Sequence, residues 1–130
     1  MTAVTPAQAI LSFVVDGKPQ GKQRARMGKG GRWYTPRETV VYENTISAAA
    51  SVAMGASGIG FRYSGPVVLS VRCYFPDARR RDGDNVLKSV QDALNGFVYV
   101  DDYQVHRAVV ERCIDRERPR TEIEVTYEAH

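Results

Sequence analysis

Apolar and polar positions alternate with a period of two in several stretches of the chain. Ile10 to Val15 (ILSFVV) is β-branched and aromatic and ends at Asp16-Gly17, a strand followed by a turn. Pro66 opens VVLSVRCYF, where Val67, Leu69, Val71 and Cys73 alternate with Val68, Ser70, Arg72 and Tyr74. Val105 to Cys113 and Glu122 to Tyr127 also read as strands, separated by the turn-prone DRERPR. Two other stretches have helical spacing. Tyr42, Ile46, Ala49, Ala50 and Ala53 form one stripe, preceded by TPRE at Thr35 to Glu38, which fits an N-terminal capping box, and stopped by GASGIG. Val86, Leu87, Val90, Ala93 and Leu94 form the second, closed by Asn95-Gly96 as a left-handed C-terminal cap. FVYV, from Phe97 to Val100, is a short apolar run after it. The predicted order is β, loop, α, β, α, β, β, an α/β class: a single domain over residues 1–130 with a mixed β-sheet packed by two main helices.

Length and composition agree with that class. At 130 residues, 43% hydrophobic and 25% charged, the chain suits one globular domain. No run approaches the ~18 apolar residues of a membrane helix, and the first fifteen residues lack the positive start of a secretory signal. Cys73 and Cys113 have no metal-ligand spacing and fall in strand-like segments, so they read as buried free thiols in a reducing cytoplasm.

Charge changes the picture more. The net charge of +3 conceals a basic loop at about 17–37, where Lys18, Lys22, Arg24, Arg26, Lys29, Arg32 and Arg37 occur without an acidic residue. The rest of the chain is net acidic. A basic arm on an acidic body points to a polyanion partner, and Trp33 and Tyr34 within it add rings that can stack on bases. A solvated flexible loop is the plain alternative.

The densest chemistry lies in RRRDGDNVLKSVQDAL, from Arg79 to Leu94. Asp82-Gly83 can be a simple turn and Asp84 a helix N-cap. A cap needs one carboxylate, however, and two stand here at i and i+2. Lys88 and Asp92 follow at one-turn intervals on the polar side of the helix. A further pair, Asp101-Asp102, ends the FVYV segment and reaches the start of the helix only if that segment runs back antiparallel to it. Asp82, Asp84 and Asp102 together would make a hard oxygen site suited to Mg²⁺ or Mn²⁺. An EF-hand is excluded, because the loop lacks its third acid and Ala93 stands where its final glutamate belongs. His106 reads as a strand or surface residue rather than a catalytic base.

RRRDGDNVLKSVQDALNGFVYVDDYQV resembles the RusA family of Holliday junction resolvases: an arginine-preceded D-x-D-N-x-x-K, a D-A-L in the following helix, and a D-D-x-Q-V segment. GKPQGKQRARMGKGGRWYTPRETVVYE is similar to the N-terminal tract of phage and prophage members. The resemblance spans roughly Leu11 to Tyr127. It implies that Asp82, Asp84 and Asp102 are the catalytic, metal-binding acids, that Lys88 is the motif lysine, and that the protein is a homodimer of α/β subunits. Asp92 matches the D-A-L aspartate, with no role assigned. Gly83 departs from the family, where a bulkier apolar residue is common.

The expectation is therefore a Mg²⁺-dependent endodeoxyribonuclease that resolves four-way junctions in recombination and repair, inside the bacterial cytoplasm. Lys88 would stabilise charge on the phosphate or the leaving oxygen. Lys18, Lys22, Arg24, Arg26, Lys29, Arg32, Trp33, Arg79, Arg80 and Arg81 would hold the branched DNA, the three arginines also offsetting the repulsion between the aspartates. Two alternatives come from other classes. One is a non-catalytic nucleic-acid-binding module whose aspartates only cap a helix. The other is a DxD sugar transferase, for which the chain is short.

Overall fold

The computed structural model describes residues 9–58 and 63–128. Its elements are β1 (Ala9–Asp16), β2 (Arg26–Met27), β3 (Trp33–Tyr34), α1 (Arg37–Ser57), β4 (Val67–Phe75), α2 (Gly83–Leu94), β5 (Val105–Ile114) and β6 (Arg120–Tyr127). The predicted class and order are met, with one addition. The stretch expected to be irregular contains the small antiparallel hairpin β2–β3, in which Arg26 pairs with Tyr34 and Met27 with Trp33. Its turn uses Gly30 and Gly31 at φ of 82° and 76°, a backbone region that side chains disfavour.

The main sheet has the order β1-β6-β4-β5. β6 is antiparallel to both neighbours, from Ala9 opposite Tyr127 to Asp16 opposite Arg120 on one side, and from Val67 opposite Tyr127 to Tyr74 opposite Arg120 on the other. β4 and β5 are parallel, so the chain between them must cross over, and α2 is that crossover. Both helices lie on one face. The buried alternation Leu11, Phe13, Val15 of β1, Val67, Leu69, Val71, Cys73, Phe75 of β4 and Ile123, Val125, Tyr127 of β6 supplies the sheet half of the core. Tyr42, Ile46, Ala50 and Met54 of α1 and Val86, Val90, Ala93 and Leu94 of α2 supply the other half. Each large side chain so buried contributes roughly 1.5–3 kcal/mol.

Several local expectations change. Thr35 does not cap α1, because the helix starts at Arg37 with Pro36 as its N-cap and no side-chain bond there. The i, i+4 spacing of Tyr42, Ile46, Ala50 and Met54 carries the buried stripe, leaving Ala49 and Ala53 at its margin. The helix passes Gly55 and ends only at Gly58, whose φ of 69° provides the left-handed cap. The predicted stop also included Ile59 and Gly60, which lie outside the described residues, as do the first eight residues. Cys73 is buried, but Cys113 is only half-buried, since β5 is an edge strand. None of the described helices is long and apolar enough to cross a membrane.

Candidate active site

The loop Pro76–Arg81 leaves the carboxyl end of β4 and delivers the chain to α2, whose first turn carries the paired aspartates. Asp82, not Asp84, is the N-cap: its backbone is extended (φ −93°, ψ 108°) and its Oδ1 accepts the Asp84 backbone N–H at 2.9 Å. Gly83 is the first helical residue and Asp84 the second, with its carboxylate exposed and unused by the cap. The expected cap lay two residues too late, because either aspartate satisfies the same rule. The unpaired N–H groups of the first turn and the helix dipole make this end electropositive, which suits a phosphate as well as a carboxylate.

An open groove at this end is lined by Arg80, Arg81, Asp82, Gly83, Asp84, Val110 and Arg112. Its basic members differ in freedom. Arg81 donates to Asp77 Oδ1 at 2.6 Å, and its guanidinium lies 4.8 Å from the centre of the Phe75 ring. Its expected role beside the aspartates gives way to an internal one, with only 16% of the side chain exposed. Hydrogen bonds from Arg81 and from the Arg79 backbone hold the Asp77 carboxyl down at about 2. Arg79 and Arg80 remain exposed. Arg112, which the sequence reading did not single out, donates to the Arg81 carbonyl at 2.9 Å and forms a groove wall. Its position in a strand gave no local signal of proximity.

The basic arm is fixed at its root and open at its tip. Lys18 flanks Asp82 in a second depression shared with Phe75, Asn85 and Val86. Lys22 does not present its charge to solvent: its Nζ pairs with Glu43 at 2.6 Å and Asp92 at 3.0 Å. Burial disfavours the Lys22 ammonium, but the hydrogen bonds it donates to Glu43 and Asp92, with their charges, outweigh it and hold its pKa above the ordinary lysine value. Beyond it Arg24, Arg26, Lys29, Arg32 and Trp33 are all exposed, Trp33 at 67%. Met27 beside it is also exposed, so the hairpin offers an apolar pair framed by cations.

Asp101 and Asp102 divide their work. Asp101 caps a short 3-10 turn, Asp102–Gln104, while its backbone N–H donates to Gln104 Oε1 at 2.8 Å. Gln104 in turn donates to the carbonyls of Tyr63 and Gly65 at 2.7 and 2.9 Å, which anchors the turn. Asp102 is the free member. Partial desolvation raises its carboxyl above the usual range, the charges of Asp92 and Asp101 add to the rise, and Lys88 opposes it. Lys88, Asp92 and Asp102 thus share one electrostatic neighbourhood along the polar side of α2.

Asp102 was expected to join Asp82 and Asp84. Among the described residues, no three His, Cys, Asp or Glu side chains lie close enough to hold a metal ion. Between the helix and Asp102 stands the FVYV segment. It folds at once against the helix end, with Gly96 N–H donating to the Tyr99 carbonyl at 3.0 Å and Val98 and Tyr99 buried. Asp102 comes within electrostatic range of Asp92 and Lys88 on α2. Asp82 and Asp84 have hard oxygen donors and exposure of the kind that suits a divalent cation completing its shell with water and substrate phosphate. His106, as expected, is an exposed strand residue, 2.5 Å from Glu128 Oε1.

Comparison with known proteins bears on the same segments. The family described as "Endodeoxyribonuclease RusA" matches residues 16–126, from the end of β1 to near the end of β6. The chain is 34% identical over 89 residues to a protein named crossover junction endodeoxyribonuclease RusA in Escherichia coli K12, covering 67% of this chain and 70% of that one. A protein of the same name in Shigella sonnei gives the same identity and coverage. The one from Enterobacteria phage 82 is 33% identical over 89 residues, again 67% of this chain and 70% of its own. A match over most of the chain, containing the paired aspartates, the lysine one turn on and the basic arm, shows that this protein belongs to the RusA family of endodeoxyribonucleases.

Proposed function

We propose that this protein is a divalent-metal-dependent endonuclease that cuts crossed DNA strands at four-way junctions, in recombination and repair. The carrying observation is the Asp84 carboxylate, which stands exposed two residues past the capping Asp82, in a groove walled by arginines. A non-catalytic module needs Asp82 for the cap and would use Asp84 only as a first-turn charge on the helix dipole, which does not require a groove walled by arginines.

Asp82, through its oxygen left free of the cap, and Asp84 would hold Mg²⁺, or Mn²⁺ in its place. Bound there, the ion would polarise a phosphoryl oxygen and lower the pKa of a water. The remaining work falls to the chain itself. Arg79, Arg80 and the amide-rich start of α2 hold the DNA phosphate over the groove. Lys88, one turn further on, places an ammonium where charge develops on the phosphate or the leaving oxygen. Asp102, within electrostatic range of that ammonium, supplies a nearby carboxylate. Arg24, Arg26, Lys29 and Arg32 follow the backbone of an arm, and Trp33 stacks against an unpaired or strained base.

A four-way junction must be cut on two strands related by a two-fold axis, and a two-fold homodimer supplies two grooves of matching symmetry. The test is incubation of the purified protein with a synthetic four-way junction and with linear duplex of the same sequence. Paired nicks in the junction with Mg²⁺, and none with EDTA, are expected. Binding without cleavage in either ion would leave only the module reading.

A further inference from the structure

Lys22 stands apart from the other cations of the arm, because several contacts tie its short neighbourhood to both helices. Its Nζ joins Glu43 on α1 to Asp92 on the third turn of α2. Its backbone N–H donates to the Asn85 carbonyl on the first turn of α2, at 2.9 Å. Gly21 packs so closely on that turn that an added Cβ would stand 3.2 Å from the Asn85 Cβ. On the other side, the Gln23 N–H donates to Thr39 Oγ1 at 3.2 Å and the Thr39 hydroxyl donates back to Gln23 Oε1 at 3.3 Å, at the start of α1. The residues that follow are exposed.

We propose that Lys22 is a positioning residue, a latch that ties the root of the basic arm to both helices and neutralises Asp92 beside Asp102, and that it does not contact DNA. The role rests on the nuclease reading, since what it positions is α2 with its aspartates and Lys88. The physical argument is one of connection. α2 carries Asp82 and Asp84 at one end and Asp92 near the other, and Gly21–Lys22 touches both turns. A hairpin drawn towards phosphate therefore pulls against the helix that holds the reacting groups. Without Lys22, Glu43 and Asp92 would leave two half-buried carboxylates facing each other uncompensated.

The test uses K22M, close in length but uncharged, and K22R, with three measurements on the full chain. Cleavage rate at saturating four-way junction should fall at least about tenfold in K22M and largely return in K22R, as a small misplacement of reacting groups demands. The slope of log affinity on log salt should not change. Tryptic cutting after Arg24 and Arg26 should accelerate in K22M at temperatures where the fold is intact. A slope flattened by nearly one unit with an unchanged saturated rate would make Lys22 an ordinary phosphate contact and overturn the latch. If K22M does not fold, D92N, which keeps the Glu43 pair, should show the rate loss at unchanged slope; a wild-type rate in D92N would equally overturn it. Should the unaltered protein fail to cut any junction, the nuclease reading fails, while the tryptic pattern still decides whether the latch exists.

Discussion

Asp82 Oδ1 and the backbone N–H of Asp84 are hydrogen-bonded at 2.9 Å, so the first aspartate of the pair starts the helix and the second is left free. The two residues can therefore be separated by substitution. Asn caps helices as well as Asp, whereas Ala does not. Asp82→Asn and Asp84→Asn should each abolish cleavage, with thermal stability retained and junction binding equal or tighter. Asp82→Ala should add a loss of about 1 kcal/mol in stability, while Asp84→Ala should not. Thermal melts beside cleavage assays measure both, and normal turnover by Asp84→Asn would leave the pair a turn and a cap.

Lys88→Ala should lower the saturated cleavage rate by about 10²–10³-fold with a much smaller change in junction affinity, since a charge aimed at the transition state acts on the chemical step. Single-turnover rates and binding isotherms on one substrate provide the comparison. Equal losses in both would make Lys88 a phosphate contact.

The exposed part of the arm makes a different forecast. Arg24→Gln with Arg26→Gln should weaken binding to junctions of any sequence and flatten the salt dependence by nearly one unit of log–log slope per lost contact. Trp33→Ala should weaken binding with little change in slope, because stacking releases no counterions. With Trp33 two-thirds exposed, its loss should leave the melting temperature unchanged. Affinities over several salt concentrations, read with melts, test all three statements.

Asp77 provides a pH prediction. Its carboxyl sits at about 2 in the folded protein, below the ~3.9 of an unfolded chain. A depressed carboxyl stabilises the fold above the unfolded value, and that contribution disappears as pH falls from about 4 towards 2. Asp77→Asn should flatten the acid limb of the melting temperature in that window and lower the melting temperature at pH 7, where the part-buried pair with Arg81 is lost.

Gly83 is the residue that departs from the family. An added Cβ would lie 3.4 Å from Val110 and Arg112 side-chain carbons, an ordinary contact, and the backbone there is not in the left-handed region. Gly83→Ala should raise stability by about 0.4–1 kcal/mol by restricting the unfolded chain. Denaturant midpoints would show it, and a destabilised variant would mean that the strand neighbour cannot give way.

The strands and both long helices were legible because each buries one face, which imprints a period on the residues. β1 and β4 alternate almost perfectly, and α2 shows its stripe at Val86, Val90, Ala93 and Leu94. The hairpin β2–β3 left no such imprint, since both strands are wholly exposed; only the glycines between RM and WY marked it. In the site, residue types were readable and partnerships were not. Lys22 and Arg81 look like any other cations of a basic run, and only the fold shows Glu43, Asp92 and Asp77 waiting for them. Arg112 and Val110 entered the groove through strand pairing across more than twenty residues of chain, which no local pattern encodes.

β6 lies between β1 and β4 and is the last of the described strands. During synthesis, β1 and β4 leave the ribosome before the strand that joins them exists, and their pairing waits for Arg120 to Tyr127. A chain stalled short of that point holds the paired aspartates and the basic arm but lacks the middle of its sheet. The order of the strands thus delays assembly of the sheet behind the groove until β6 has been made, and chains stopped before it are left open to proteolysis.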